Sequence, residues 1–176
     1  MMSLNINGKF LTNALVFQAV WFICVLGNNV YAAISVMILV CIHKSLFNIS
    51  SKDWVVLLAF SITGYLGDSI IAKLLNFQYS NDLPFIGPLW LLGLWVAFST
   101  TLNHSMKWIF KTPYHAILIG LLLVPLSYLA GINLSNSDQL NTSNSYAILF
   151  LIEGIWWACL LLAYQKIISK QATDNE

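Results

Sequence analysis

Residues 54–76 read Trp54-Val-Val-Leu-Leu-Ala-Phe-Ser-Ile-Thr-Gly-Tyr-Leu-Gly-Asp68-Ser-Ile-Ile-Ala-Lys73-Leu-Leu-Asn76. A helix of roughly 20 mostly apolar residues covers a bilayer core of about 30 Å, and this stretch is long enough. Five further stretches share its character. The apolar segments lie at about 11–27, 30–47, 54–76, 86–108, 113–131 and 145–167, each bounded by polar residues, Pro or Gly. Only Gly27-Asn28-Asn29 divides the first two, which calls for a tight turn. The expected fold is all-α: a single integral membrane domain over 1–176, a polytopic bundle of about six transmembrane helices.

Composition agrees. The chain is 59% hydrophobic and 9% charged, whereas a soluble domain carries roughly a quarter charged residues to keep its surface wet. Its eight basic residues are all lysine and face seven acids, for a net charge of +1. That offers no basic field for nucleic acid, and the missing arginine removes the side chain best fitted to grip phosphate with two bonds. Cys24, Cys41 and Cys159 stand apart without CxxC spacing and read as small buried hydrophobes. No HxxxH, HExxH, GxSxG or phosphate-cradling Gly-rich motif occurs, so neither a metal nor a cofactor is implied. His43 and His115 read as surface residues at segment borders. The first apolar run lacks a small-x-small cleavage site, so no cleaved signal peptide is expected.

Lysine placement sets the orientation. Lys9, Lys44, Lys52, Lys107, Lys111, Lys166 and Lys170 all fall on one side if six helices cross. Lysine-rich loops stay cytoplasmic, which places both termini there and the 133–144 loop outside. Trp54, Trp90 and Trp108 sit near expected helix ends, where indoles favour the headgroup layer. Two halves of three helices would start from opposite sides, the plan of an inverted-repeat transporter, yet the halves share no clear residue match.

Charge inside a membrane segment costs about 2.5–3.5 kcal/mol on insertion scales, so each case needs a reason. Asp68, Lys73, His104 and Glu153 are the cases here. Ser61, Gly64, Asp68 and Ala72 form one helical stripe of small residues, which lets a neighbouring helix come close and turns the carboxyl inward. Counting at 1.5 Å per residue puts Asp68 and Glu153 roughly 12 Å below the outer border, with Gln18 at similar depth. Lys73 lies above Asp68, and Ser127 and Tyr128 lie near the outer end of the fifth segment. One reading is interhelical glue, with Lys73 paired to an acid. The other is a pocket in which Asp68 and Glu153 bind a polar group or move a proton, and Tyr128 donates a hydrogen bond. On the fourth segment Ala97, Thr101, His104 and Trp108 share a face, and a hydrogen-bonded interfacial histidine competes there with a catalytic one.

The stretches Asn13-Ala-Leu-Val-Phe17-Gln18-Ala-Val-Trp21-Phe22 and Gly64-Tyr-Leu-Gly67-Asp68 resemble a known family. So do Pro88-Leu-Trp90-Leu-Leu-Gly-Leu-Trp95-Val-Ala-Phe98, Thr101-Leu-Asn103-His104-Ser105 and Pro125-Leu-Ser-Tyr128-Leu-Ala-Gly131, with Glu153 before an aromatic. Together they resemble the bacterial domain-of-unknown-function 2878 family of small inner-membrane proteins, over nearly the whole chain. The resemblance brings no activity with it. It implies a bacterial inner membrane and, since relatives tend to sit beside genes for modifying membrane fatty acids, it points toward lipid. It also adds Trp21, Trp95, Asn103 and His104 to Gln18 and Lys73 as candidate ligand contacts.

The leading expectation is therefore binding or modification of a membrane lipid or small amphiphile, with Asp68, Glu153 and Tyr128 as candidate catalytic residues. A small cation- or proton-coupled transporter is the first alternative. An accessory subunit docking an unknown protein partner, such as a membrane enzyme, is the second.

Overall fold

The computed structural model describes residues 6–79, 83, 86–135 and 143–173. Among them there is no strand. The helices are α1 (Ile6–Leu26), α2 (Asn29–Leu46), α3 (Ser51–Leu74), α4 (Leu89–Leu102), α5 (Pro113–Leu118), α6 (Val124–Ser135) and α7 (Ser143–Thr173). A 3-10 turn over Lys107–Lys111 precedes α5, and a π-helical segment, Ile119–Leu123, joins α5 to α6. The expected all-α class is correct, and among the described residues five helical stretches are long and apolar enough to cross a membrane, one of them the continuous run of α5, the π segment and α6. Their outward faces carry large apolar side chains such as Leu15, Met37, Val55, Ile70, Leu126 and Leu151, all exposed. Such surfaces suit lipid, where an outward leucine costs nothing.

The fourth segment differs from its expected 86–108 span. Its helix covers only Leu89–Leu102, about 21 Å at 1.5 Å per residue and so short of a bilayer core. Pro88 fixes the start as N-cap and offers no side-chain cap. Asn29 at the head of α2 substitutes for it, its Oδ1 accepting the Trp90 N–H at 3.0 Å. At the other end the Met106 N–H reaches back to the Thr101 carbonyl at 2.9 Å and closes the chain into a turn. The turn between α1 and α2 is as expected, with Asn28 capping α2 through bonds from the Val30 and Tyr31 N–H groups. Most of the 133–144 loop, residues 136–142, lies outside the described residues.

The π segment has an identifiable cause. Pro125 has no N–H to donate and its ring collides with the carbonyl one turn back. The helix widens just before it, over Ile119–Leu123, a common way to absorb such a clash.

Packing divides the chain into two compact units, Met1–Tyr65 with Asn81–Lys107, and Leu66–Ser80 with Trp108–Glu176. In the first, α1, α2 and α4 pack on one another, and the early part of α3 packs on α4. Gly64 lies so close to Trp95 that an added Cβ would come within 2.3 Å of the indole. Phe60 meets the same ring edge-on at 5.6 Å.

In the second unit α7 packs against α5, the π segment and α6. Gly120 and Ala158 bring two backbones together: a Cβ on Gly120 would lie 2.5 Å from the Ala158 nitrogen. The end of α3 also belongs here. Asn76 takes the left-handed conformation at φ 55°, the Phe77 N–H bonds the Ala72 carbonyl at 2.8 Å and the Asn76 N–H bonds that of Lys73 at 3.2 Å. This pair of bonds is a Schellman stop, with Asn in the place glycine usually takes. It buries Phe77 and turns Tyr79 inward, 7% exposed.

Two expectations about single residues need correction. Of the cysteines only Cys24 is buried, while Cys41 and Cys159 are exposed, because a membrane helix places apolar residues on its outer face as readily as inside. Trp90 does stand at the start of α4 but is buried there instead of facing a headgroup layer, whereas Trp108 is 45% exposed.

Candidate functional site

Asp68 and Glu153 are both completely buried, and both belong to the second unit. The small-residue stripe does turn Asp68 inward: Ser61, Gly64 and Ala72, on the same stripe, are buried. Tyr128, one turn beyond Pro125, donates its hydroxyl to Asp68 Oδ2. Glu153 lies close enough to Asp68 and Tyr128 to share a hydrogen bond with either when a proton sits between them, yet as placed neither of its carboxyl oxygens meets a donor among the described residues. Tyr79, delivered by the Asn76 turn, acts electrostatically on Tyr128 as well.

Trp156, which no motif in the sequence singles out, completes the cluster. Its indole lies flat against Gly67, where a Cβ would come within 2.2 Å of the ring. Its Nε1–H is buried and has no acceptor among the described residues. Glu153 and Trp156 are three residues apart on α7 and so share a face. Among the described residues the cluster thus holds two carboxyl oxygens that meet no donor beside an N–H that meets no acceptor. Buried polar groups are nearly always paired in native proteins, and an exception calls for an explanation.

The other candidates lie elsewhere. Lys73 is exposed on α3. Gln18 is exposed on α1, in line with the exposed Leu11, Leu15, Phe22 and Leu26. Counting residues estimates depth but says nothing of direction around the helix, and Gln18 faces outward on its own helix. Trp21 is half-buried, edge-on to Phe22. Trp95, 1% exposed, is the plate on which Gly64 rests.

Asn103 and His104 belong to a separate place in the first unit. With Asn48, Asp53, Ser99 and Thr100 they line a hollow of about 100 Å³. His104 stacks on Phe47 with ring centroids 3.7 Å apart and meets His43 at 5.0 Å. His43 is not a surface residue: it is 1% exposed and neither ring nitrogen is hydrogen-bonded among the described residues. Asn13 braces this end, donating to the Thr100 carbonyl at 3.3 Å and accepting the Ser105 hydroxyl at 2.7 Å.

Burial pushes His104 down to about 4, with Lys107 acting the same way and Asp53 opposing. An imidazole held below its ordinary 6.5 binds the proton better in the unfolded chain. Its stabilising contribution is complete above pH 6.5 and is lost as pH falls through the window down to about 4. The thermal unfolding midpoint of the purified protein in detergent should drop across that window, and His104→Gln should lessen the drop. An unchanged slope in the variant would mean that His104 is not the group responsible.

The family described as "protein of unknown function (DUF2878)" matches residues 10–164. The chain belongs to it. DUF2878 membership covers both units, and with them the acid cluster and the His104 hollow. No curated protein and no solved structure matches the chain.

Proposed function

We propose that this DUF2878 protein binds the polar end of a membrane lipid or small amphiphile at Asp68, Tyr128, Glu153 and Trp156. One observation carries the reading: among the described residues the fully buried Glu153 meets no donor at either oxygen, and the Trp156 N–H, one turn along, meets no acceptor. A hydroxyl or carboxylic group satisfies both at once, accepting from the indole and donating to the carboxylate. The apolar outward faces of the surrounding helices supply the matching environment for an acyl or prenyl tail. Tyr128 holds Asp68 in place, leaving either acid to act as a proton donor or acceptor toward the bound group. The facing of two carboxyl groups supports a second reading, a cation- or proton-coupled transporter. We place the protein in a bacterial inner membrane with all its lysines but Lys73 on the cytoplasmic side, which requires the short α4 to cross as well.

Native mass spectrometry of the purified protein tests the binding. An amphiphile should co-purify with the wild type and be lost from both Glu153→Gln and Trp156→Phe. Retention of the same species by both variants would refute the site. For the topology, reporter fusions after Asn141 and after Lys170 should give opposite compartments. The same side for both would mean that the α7 span does not cross.

A further inference from the structure

The hollow beside His104 has a chemistry of its own, independent of the acid cluster. Ser99 and Thr100 line it, but their hydroxyl protons are already committed, to the Val96 carbonyl at 2.8 Å and the Ala97 carbonyl at 2.7 Å. They can present only lone pairs to a ligand. Asp53 is the one charged group among the lining residues. Both bonds it takes, from the Ser50 N–H at 3.1 Å and the Ser50 hydroxyl at 2.7 Å, go to Oδ2. Oδ1 therefore remains to accept from a ligand. Asn48 and Asn103 add amide oxygens that can turn inward, and His104, held neutral by burial, adds no positive charge at physiological pH. An anion would meet the Asp53 carboxylate and no positive charge among the lining residues. A small cation with several N–H donors meets acceptors instead.

Size and place narrow this further. A cavity of about 150 Å³ takes benzene, so about 100 Å³ takes only a smaller group. The hollow lies where α3 begins and α4 ends, at the terminus of a membrane-length helix and so at headgroup level. Lys52, adjacent to Asp53, and Lys107, in electrostatic reach of His104, are exposed beside it. Acceptors inside and ammonium groups at the rim suit a ligand whose positive end enters while its negative end stays out.

We infer that the hollow lined by Asp53, Asn103 and His104 binds a primary ammonium group, presented by an aminophospholipid whose phosphate meets Lys52 and Lys107.

The test uses the full-length protein, delipidated in detergent and titrated with phosphatidylethanolamine, phosphatidylcholine or phosphatidylglycerol, with lipid retention read by native mass spectrometry. Phosphatidylcholine has the same phosphate and positive charge but no N–H to donate. Wild-type protein should retain phosphatidylethanolamine about tenfold better than either other lipid, as expected for charge-assisted hydrogen bonds. Asp53→Asn should erase that preference, and Lys107→Gln should weaken retention of both phosphatidylethanolamine and phosphatidylcholine. Free ethanolamine should compete only weakly. Competition by ethanolamine at concentrations matching the lipid would overturn the lipid source and leave a soluble amine as the ligand. Equal retention of phosphatidylethanolamine and phosphatidylcholine by the wild type would overturn the ammonium site itself. That comparison needs no variant, so misfolding of Asp53→Asn cannot shield the proposal.

Discussion

Gly120→Ala should sharply lower the amount of folded protein in membranes. The added methyl would lie 2.5 Å from the Ala158 nitrogen and 2.7 Å from its Cα. Both are backbone atoms, so no rotamer change relieves the contact and α7 must move off the π segment. Overpacking of a tight core costs about 1–3 kcal/mol, and a backbone clash belongs at the upper end. Gly154→Ala should be milder, because its Cβ would stand 3.2 Å from the Gly120 carbonyl oxygen and 3.3 Å from the Leu121 Cα. The measurement is the thermal midpoint of both variants beside wild type in one detergent. Equal midpoints for Gly120→Ala and wild type would show that this helix contact is looser than described.

Glu153→Gln and Asp68→Asn should lose ligand binding while the protein still inserts and folds. If the cluster were only glue between helices, the amides would serve as well: they keep most hydrogen-bonding capacity and remove the cost of burying charge. If the carboxyl groups receive a ligand, each amide forfeits a bond to a charged acceptor, worth roughly 1.5–3 kcal/mol, or about tenfold to a hundredfold in affinity. Where a proton is also moved, the loss of turnover should exceed the loss of binding, by about a hundredfold or more. Ligand retention and protein abundance, measured on the same preparation, separate these cases.

The membrane-length helices were legible because length and apolar content are one-dimensional properties. Direction around a helix was legible only where the residues differed in size. Ser61, Gly64 and Ala72 marked the inward stripe that carries Asp68, while Gln18 sits among leucines and phenylalanines that lipid accepts as readily as a core does. In water an apolar stripe identifies the buried face; in a bilayer both faces are apolar and the signal vanishes. The same loss explains Cys41 and Cys159, and why Trp156 does not stand out in the sequence. The 86–108 segment reads as one crossing by its length and the tryptophans near its ends, although Asn103, His104 and Ser105 already follow Leu102. Pro88 and the bond from Met106 back to Thr101 end that helix early. His43 looked like a border residue from its neighbour Lys44, yet the aromatic stack of Phe47, His104 and Trp54 encloses it. Such a stack joins α2, the start of α3 and the end of α4, and nothing local in the sequence announces it.

The central claim is that the buried cluster of Asp68, Tyr128 and Glu153 acts on a membrane amphiphile rather than merely holding helices together. Lipid mass spectrometry of a deletion strain of the source organism tests it most directly, with the strain complemented by wild type, Asp68→Asn or Glu153→Gln and protein level checked in the same membranes. The expected result is a lipid profile restored by the wild type and left altered by both amides at normal protein abundance. A wild-type profile with both amides would contradict the claim.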